Sequence, residues 1–322
     1  MKNISPTPII IICGATATGK TGLALSLAKK FKGEIISADS RQVYDSMDIG
    51  TGKEVCDTAI HCEKGVGQWI INSIPIHLYD VVAPDKDYSV SHFFTHACRL
   101  ISEITERKKI PFIVGGTGFY LRSLTGNITT LGIKPDMALR EKYETLLLEG
   151  GVKALADELI SLDPKSAKRI DLKNSRRLIR ALEVFHTKRS RPEKEAMPNL
   201  RILWIGLRLP REKQYEKADL RIDTMIQCGL VDEVENLLEK GYGWDLPSMS
   251  GVGYRQFKPY FDDGMPLAGC IQQLKWDTHA YIRRQETWFR RQKEVRWFDP
   301  DEKESIKEIE ILIRQFLKRK TS

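Results

Sequence analysis

With 322 residues, 41% of them hydrophobic and 29% charged, the chain has length for about two domains and enough apolar material for real cores. No apolar run approaches the roughly 18 residues of a membrane helix, and the first, Ile9–Cys13, is too short for the hydrophobic stretch of a secretory leader, so the cytoplasm is the expected compartment. The formal charge of +8 is local: Lys165–Lys194 holds eleven Lys/Arg against three Asp/Glu, and the rest of the chain sums to zero.

Ile9-Ile10-Ile11-Ile12-Cys13, bounded by Pro8, reads as a buried parallel strand. It runs into Gly14-Ala15-Thr16-Ala17-Thr18-Gly19-Lys20-Thr21, the pattern G-x-x-x-x-G-K-T. This spacing wraps backbone N–H groups around phosphoryl oxygens, adds the Lys20 charge and offers the Thr21 hydroxyl to Mg2+. Thr21–Phe31 follows as a helix of good formers whose N-terminal dipole faces the anion. Glu34–Ser37 is the second strand and ends at Asp39-Ser40; Ile76–Asp80 is a candidate third. Val90, Phe93, Phe94, Ala97, Ile101 and Ile104 recur at helical spacing behind a Ser89 cap. Pro111–Val114 is a strand stopped by Gly115-Gly116, with Thr117 next.

From about Leu121 to Asn199 no strand is evident. Leu139–Leu148 and Val152–Leu162 read as helices, and Asn174 or Ser175 caps another that carries Arg176, Arg177 and Arg180. Ile202–Leu207 returns as a fifth strand. Long helices then dominate: one marked by Ile222–Leu238, one over Gln272–Phe298 with interleaved cations and aromatics, and an amphipathic tail over Ile306–Leu317.

The alternation of strands and helices predicts an α/β protein, a P-loop NTPase-like parallel sheet flanked by helices, with a helical insertion domain. The expected domains are a core of residues 1–120 and 200–322, with residues 121–199 inserted. In such sheets ligands sit beyond the carboxyl ends of the strands, so the phosphate loop, Asp39-Ser40 and Thr117 are expected to face one crevice. The loop alone fits a kinase, an ATPase or another phosphate-ester enzyme. Asp39 suits a substrate contact, a Mg2+ ligand or a helix cap, and Thr117 suits a substrate contact or a cap for the helix at Phe119. The charge density of Lys165–Lys194 points to a polyanion, most commonly nucleic acid. The cysteines Cys13, Cys56, Cys62, Cys98, Cys228 and Cys270 are scattered without a C-x-x-C pair, which argues against a disulfide framework or a structural zinc site.

Several segments taken together carry a family resemblance: Gly14–Thr21, Asp39-Ser40-Arg41-Gln42-Val43-Tyr44, Met47–Lys53, Gly115-Gly116-Thr117-Gly118-Phe119-Tyr120, Arg177–Val184, Gly229–Val234 and Gly253-Tyr254. In this order they resemble the tRNA dimethylallyltransferases, over nearly the full length. The resemblance implies transfer of a dimethylallyl group from its diphosphate to N6 of an adenine beside the tRNA anticodon. It implies a diphosphate held by Gly14, Ala15, Thr16, Ala17, Thr18, Gly19, Lys20 and Thr21, with Mg2+ at Thr21 as the cofactor. Asp39 takes the place of the proton acceptor, Thr117 positions the amine, and Lys20 and Arg221 stabilise the leaving group. Contacts to tRNA are implied for Asp39, Ser40, Arg41, Gln42 and Thr117, and for Arg140, Arg176, Arg177, Leu178, Ile179 and Arg180 in the insertion. A monomer is the expected state.

Three features depart from the family pattern: Arg176 stands where Gln is usual, the Cys56–Ile74 segment is longer than in the common bacterial pattern, and Thr187-Lys188-Arg189-Ser190 lacks the usual glycine. The zinc finger of the eukaryotic members is absent, which suggests the bacterial type. Three rivals remain at this stage: a relative using free adenylate, which has no need of a basic insertion; a nucleotide kinase; and a non-catalytic RNA-binding ATPase.

Overall fold

A computed structural model describes residues 6–53, 61–126, 136–187 and 198–319. The described residues fall into two compact units, one made of those up to Thr125 and from Pro198 onward, the other of those between Gly126 and Met197.

The first unit is built on an eight-stranded sheet. In chain order its strands are β1 (Thr7–Gly14), β2 (Gly33–Ser37), β3 (Cys62–Gly65), β4 (Gln68–Ile71), β5 (Ile74–His77), β6 (Ile110–Gly115), β7 (Leu200–Leu207) and β8 (Arg296–Phe298). Across the sheet they run β3-β4-β5-β2-β6-β1-β7-β8. From β5 to β8 all pairs are parallel, with Ile11 level with both Ile113 and Trp204; β3 and β4 add an antiparallel ribbon at one edge. Ile9 to Cys13 are 0% exposed, as a strand covered on both faces requires.

The sheet is flanked by α1 (Lys20–Phe31), α2 (Val90–Glu106) and α3 (Gly118–Ser123). Ser89 and His92 close a capping box at the start of α2. On the interior strand β2, the buried Glu34 carboxylate takes His77 Nε2 at 2.7 Å and Arg107 Nη2 at 2.6 Å, with Lys109 at 3.1 Å.

The second unit is helical: α4 (Met137–Leu162), α5 (Pro164–Ala167) and α6 (Ser175–Thr187). The two helices expected around residue 150 are present as the two arms of α4, divided at Gly151, where φ 67 and ψ −172 leave the helical region. Tyr143, Leu155, Leu159, Leu178 and Leu182 form its core.

Back in the first unit come α7 (Arg211–Gln227), α8 (Leu230–Glu239), the short α9 (Lys258–Asp263), α10 (Leu267–Phe289) and α11 (Lys303–Lys318). Two readings are corrected here. The helix expected through Ile222–Leu238 breaks into α7 and α8 at Gly229, whose φ of 93 a side chain disfavours. The helix expected over Gln272–Phe298 stops at Phe289, and its end becomes β8, which extends the sheet beside β7.

Candidate active site

β1 ends in the phosphate loop. Gly14 has φ 143, and a Cβ there would meet the Leu207 carbonyl oxygen at 2.4 Å, so only glycine lets the loop leave the sheet this close to β7. Inside the turn, the Thr18 hydroxyl donates to Ala15 O at 2.9 Å, and the Lys20 ammonium donates to the same oxygen at 2.7 Å. Thr21, half-buried in the first turn of α1, follows directly. The Cys13 thiol beneath is pushed up to about 12 by burial, with Lys20 opposing, and stays protonated.

Three turns from distant parts of the unit converge on this loop. After β2, Asp39 Oδ1 accepts Arg41 N–H at 2.8 Å, and the Thr117 hydroxyl accepts Ser40 N–H at 3.1 Å. Thr117 therefore both starts α3 and fixes the turn that carries Asp39. The third turn, 48–53, is held from two sides. Glu233 of α8 accepts the N–H groups of Asp48, Ile49 and Gly50 at 2.9, 2.7 and 3.0 Å, and the Tyr254 hydroxyl at 2.8 Å. The Lys53 ammonium, 0% exposed, donates to Tyr44 O and Asp48 Oδ1, each at 2.8 Å, and pairs with Asp80. Asp80 also accepts the Trp69 indole N–H at 2.6 Å.

Arg221 of α7 donates to Gly52 O at 3.0 Å, so this turn aims its guanidinium. Among the described residues Arg221 makes no ion pair with the nearby Glu216 or Asp219 on its own helix; Asp219 pairs with His279 at 2.8 Å.

The phosphate loop, the Asp39 turn and the 48–53 turn border an open cavity of about 320 Å3; Lys20, Thr21 and Thr117 are not among the residues that line it. The phosphate-loop residues Thr16 and Ala17, the carboxylate-bearing Asp39 and the cation Arg221 all line it. An apolar wall comes from Ala218, Ile222 and Met225 of α7, with Val252 and Leu274. Electrostatics links the same groups: burial and the Arg221 charge lower Lys20 to about 8, while Asp39 pulls it back up. Tyr281, also in the wall, is held above its usual range by burial and by Asp39, so its hydroxyl remains a donor.

Ser40 and Arg41 also line the cavity, and other expected site residues make structural contacts. Arg41 ties down the 247–250 segment through Pro247 O and Ser248 O. Gln42 accepts the Ser37 hydroxyl at 2.7 Å and reaches the carbonyls of Thr51 and Gly52 at 3.4 Å. In the helical unit, Arg176 and Arg177 are exposed. Arg140 and Arg180 instead bond the buried Glu183 carboxylate at 2.7 and 3.1 Å. Leu178 corrects the reading that gave it to RNA: it is 0% exposed and packs in the core of its unit, with Ile179 partly buried against that core. The lysines and arginines at 188–194 lie outside the described residues, as do residues 56–60 of the long segment.

Sequence reasoning missed Lys53, Arg255, Tyr281, Arg284 and Gln285. Tyr281 and Arg284 of α10 and Arg255, in the segment before α9, line the cavity, and Gln285 of α10 abuts it; for the three on α10 the interleaved cations and aromatics of that helix are the only signal in the sequence.

A phosphate loop, a carboxylate and an arginine around one cavity of a parallel α/β sheet define a phosphate-ester-handling enzyme class. Comparison narrows it. A family model for IPP transferase matches residues 42–292, and one for isopentenyl transferase matches residues 7–63. A tRNA dimethylallyltransferase of Roseiflexus sp. (strain RS-1) is 41% identical over 313 residues, covering 96% of this chain and 99% of the relative. One from Bacillus cereus (strain AH187) is 38% identical over 329 residues, covering 100% and 99%. The crystal structure of a tRNA isopentenylpyrophosphate transferase from Bacillus halodurans superposes with TM-score 0.70 at 36% identity, covering 98% of each chain. A eukaryotic dimethylallyltransferase acting on tRNA gives TM-score 0.79 at 25% identity over 97% of this chain and 79% of that one. The chain belongs to the IPP transferase family.

Among the described residues, no helix is long and apolar enough to cross a membrane.

Proposed function

We propose that this protein transfers a dimethylallyl group from dimethylallyl diphosphate to N6 of the adenosine next to the anticodon in tRNA, giving N6-isopentenyladenosine. The observation that carries this reading is the shared cavity: Thr16 and Ala17 of the phosphate loop, Asp39 and Arg221 line one space.

The chemistry follows from that juxtaposition. Breaking the allylic C–O bond builds cation character on the prenyl carbon and charge on the departing diphosphate. The loop amides, Lys20 just behind the loop and Arg221 in the cavity wall are donors available for that charge. The prenyl chain lies on Ile222 and Met225. The adenine amine is a weak nucleophile because its lone pair is delocalised into the ring, and Asp39 accepts its proton as the C–N bond forms. The base has to leave the anticodon-loop stack to reach this cavity. Thr117 acts through the turn it fixes at Ser40.

A divalent cation fits the donor set in one way. Among the described residues there is no group of three or more His, Cys, Asp or Glu placed to hold a metal. Magnesium commonly keeps several waters and binds through substrate phosphates, so Thr21 with the diphosphate oxygens would hold it, and it would neutralise leaving-group charge. The exposed Arg176 and Arg177 favour RNA phosphates as partners of the helical unit.

The test is incubation with labelled dimethylallyl diphosphate and unmodified tRNA. Label in the anticodon loop is expected, with free adenylate left unlabelled. No label in RNA refutes the reading, and label in adenylate alone replaces it with the small-molecule rival.

A further inference from the structure

One buried amide joins the phosphate loop to the turn after β6. Gln285, 6% exposed on α10, accepts the Thr16 N–H through Oε1 at 2.9 Å and donates through Nε2 to Gly116 O at 3.0 Å. Thr16 belongs to the phosphate loop, and its carbonyl is held in turn by Gln214 Nε2 at 2.7 Å. Gly116 precedes Thr117, which fixes the Asp39 turn. Tyr281, one helical turn before Gln285 on the same helix, lines the cavity. A Cβ at position 116 would fall 2.3 Å from Gln285 Nε2 and so displace it.

The amide is the group these neighbours require. The Thr16 N–H needs an acceptor and the Gly116 carbonyl needs a donor, and a single glutamine supplies both at a fixed separation. A carboxylate provides no donor, and an aliphatic side chain leaves two buried backbone groups unpaired.

We propose that Gln285 is a positioning residue that sets the distance between the phosphate-holding loop and the turns carrying Asp39 and Thr117. It touches neither reacting centre and acts through Thr16 and Gly116. The inference rests on the function proposed above, since it assumes that the two loops hold the two reactants.

Misplacement by about 1 Å costs up to about 100-fold in rate when two reactants must be aligned. Gln285→Leu is therefore expected to lower kcat by about 10- to 100-fold with both substrates saturating. Binding of inorganic pyrophosphate, measured by calorimetry, is expected to change less than about threefold, since Lys20 and the other loop amides remain. Gly116→Ala approaches the same contact from the other side: it displaces Nε2 while keeping the glutamine. It should reproduce the loss of kcat with pyrophosphate affinity intact, and the double variant should lose less than the product of the two single losses. Melting temperatures confirm folding, and Gly116→Ala decides the matter if Gln285→Leu does not fold. Parental kcat in either folded variant overturns the proposal, as does a parallel fall of kcat and pyrophosphate affinity. If the parent protein transfers no label to RNA, the functional reading fails and takes this inference with it; if the parent transfers label and the variants match it, only this inference fails.

Discussion

Lys53 offers the sharpest test of how the cavity is held. Its ammonium has 0% exposure and faces two carboxylates, Asp48 at 16% and Asp80 at 11% side-chain exposure, plus the Tyr44 carbonyl. Burial raises both carboxylates, and the cations answer unequally. Lys53 and Lys64 together bring Asp48 below its usual range, whereas Asp80 stays above it despite Lys53 and the Trp69 indole. Lys53→Met removes the cation and keeps the volume, leaving two mostly buried acids with the partly exposed Lys64, 2.6 Å from Asp48, and the Trp69 indole N–H on Asp80. Removing one member of a buried pair costs about 3–5 kcal/mol. For a unit of this size that is on the order of 10 °C in melting temperature. The pH dependence has a definite sign. Without Lys53 both carboxyl groups titrate higher in the folded state, so the folded variant binds protons more readily than its unfolded chain. Its deficit is largest at neutral pH and shrinks as pH falls through the carboxylate range. Calorimetric melts of parent and variant at pH 7 and pH 5 measure this directly. Because the 48–53 turn aims Arg221 through Gly52, pyrophosphate affinity should also drop in folded Lys53→Met. A melting shift under about 2 °C, or a deficit that does not change with pH, refutes the idea that this ion knot braces the turn.

Other consequences follow from single residues. Asp39→Ala should keep tRNA binding and lose roughly 100- to 10,000-fold in turnover, the usual worth of a positioned base, and equal rates in single-turnover assays would remove Asp39 from that role. Lys20 sits at about 8 in the free protein, so its charge is lost as pH rises through that value. Pyrophosphate affinity should therefore decline above pH 8 in the parent and be weak and flat with pH in Lys20→Met; a flat parental profile from pH 7 to 9.5 would show that Lys20 does not grip the anion. Charge reversal at the exposed Arg176 and Arg177 should weaken tRNA binding and reduce its salt dependence by about one per lost contact, leaving pyrophosphate affinity unchanged. Unaltered tRNA affinity in moderate salt would take those two residues off the RNA surface. The corresponding reversal at Arg180 is a poorer probe, since it also breaks the pair with Glu183.

The sheet was legible because its signals are local. Ile9–Cys13 is a continuous apolar run with a glycine at its end, and such a run has few ways to be anything but a covered parallel strand. The Ser89 cap was equally plain. What escaped was set by tertiary pairing. Cys62–Gly65 and Arg296–Phe298 are too short and too mixed to read as strands; they are extended only because a neighbour in the sheet offers hydrogen bonds, Ile71 opposite Cys62 and Leu207 opposite Phe298. The break at Gly229 was visible as a glycine and was overruled by the apolar spacing on either side of it. Leu178 was misjudged for the opposite reason. It lies within a highly specific run of residues, and specificity of sequence was taken for contact with RNA, although its place on the inward face of α6 makes it core.

The site divides along the same line. The phosphate loop announces itself because eight consecutive residues do one job. Asp39 and Thr117 stand out as polar residues at strand ends and Arg221 only by resemblance, and the structure gives each a physical neighbour that periodicity cannot predict: the Arg41 amide, the Ser40 amide and the Gly52 carbonyl. The residues that hold these turns, Lys53, Glu233, Gln214 and Gln285, are polar side chains deep in helices or behind loops. To a sequence reading they look like the solvated positions of amphipathic segments. Backbone groups of irregular turns have no partner in a helix or ladder, so when they are buried some side chain must supply one. A turn-built cavity therefore requires such residues. A buried glutamine or glutamate on a nominally surface helix is a better pointer to the walls of this site than the aromatic stripe beside it, in which Trp276 is 59% exposed and Phe289 is core.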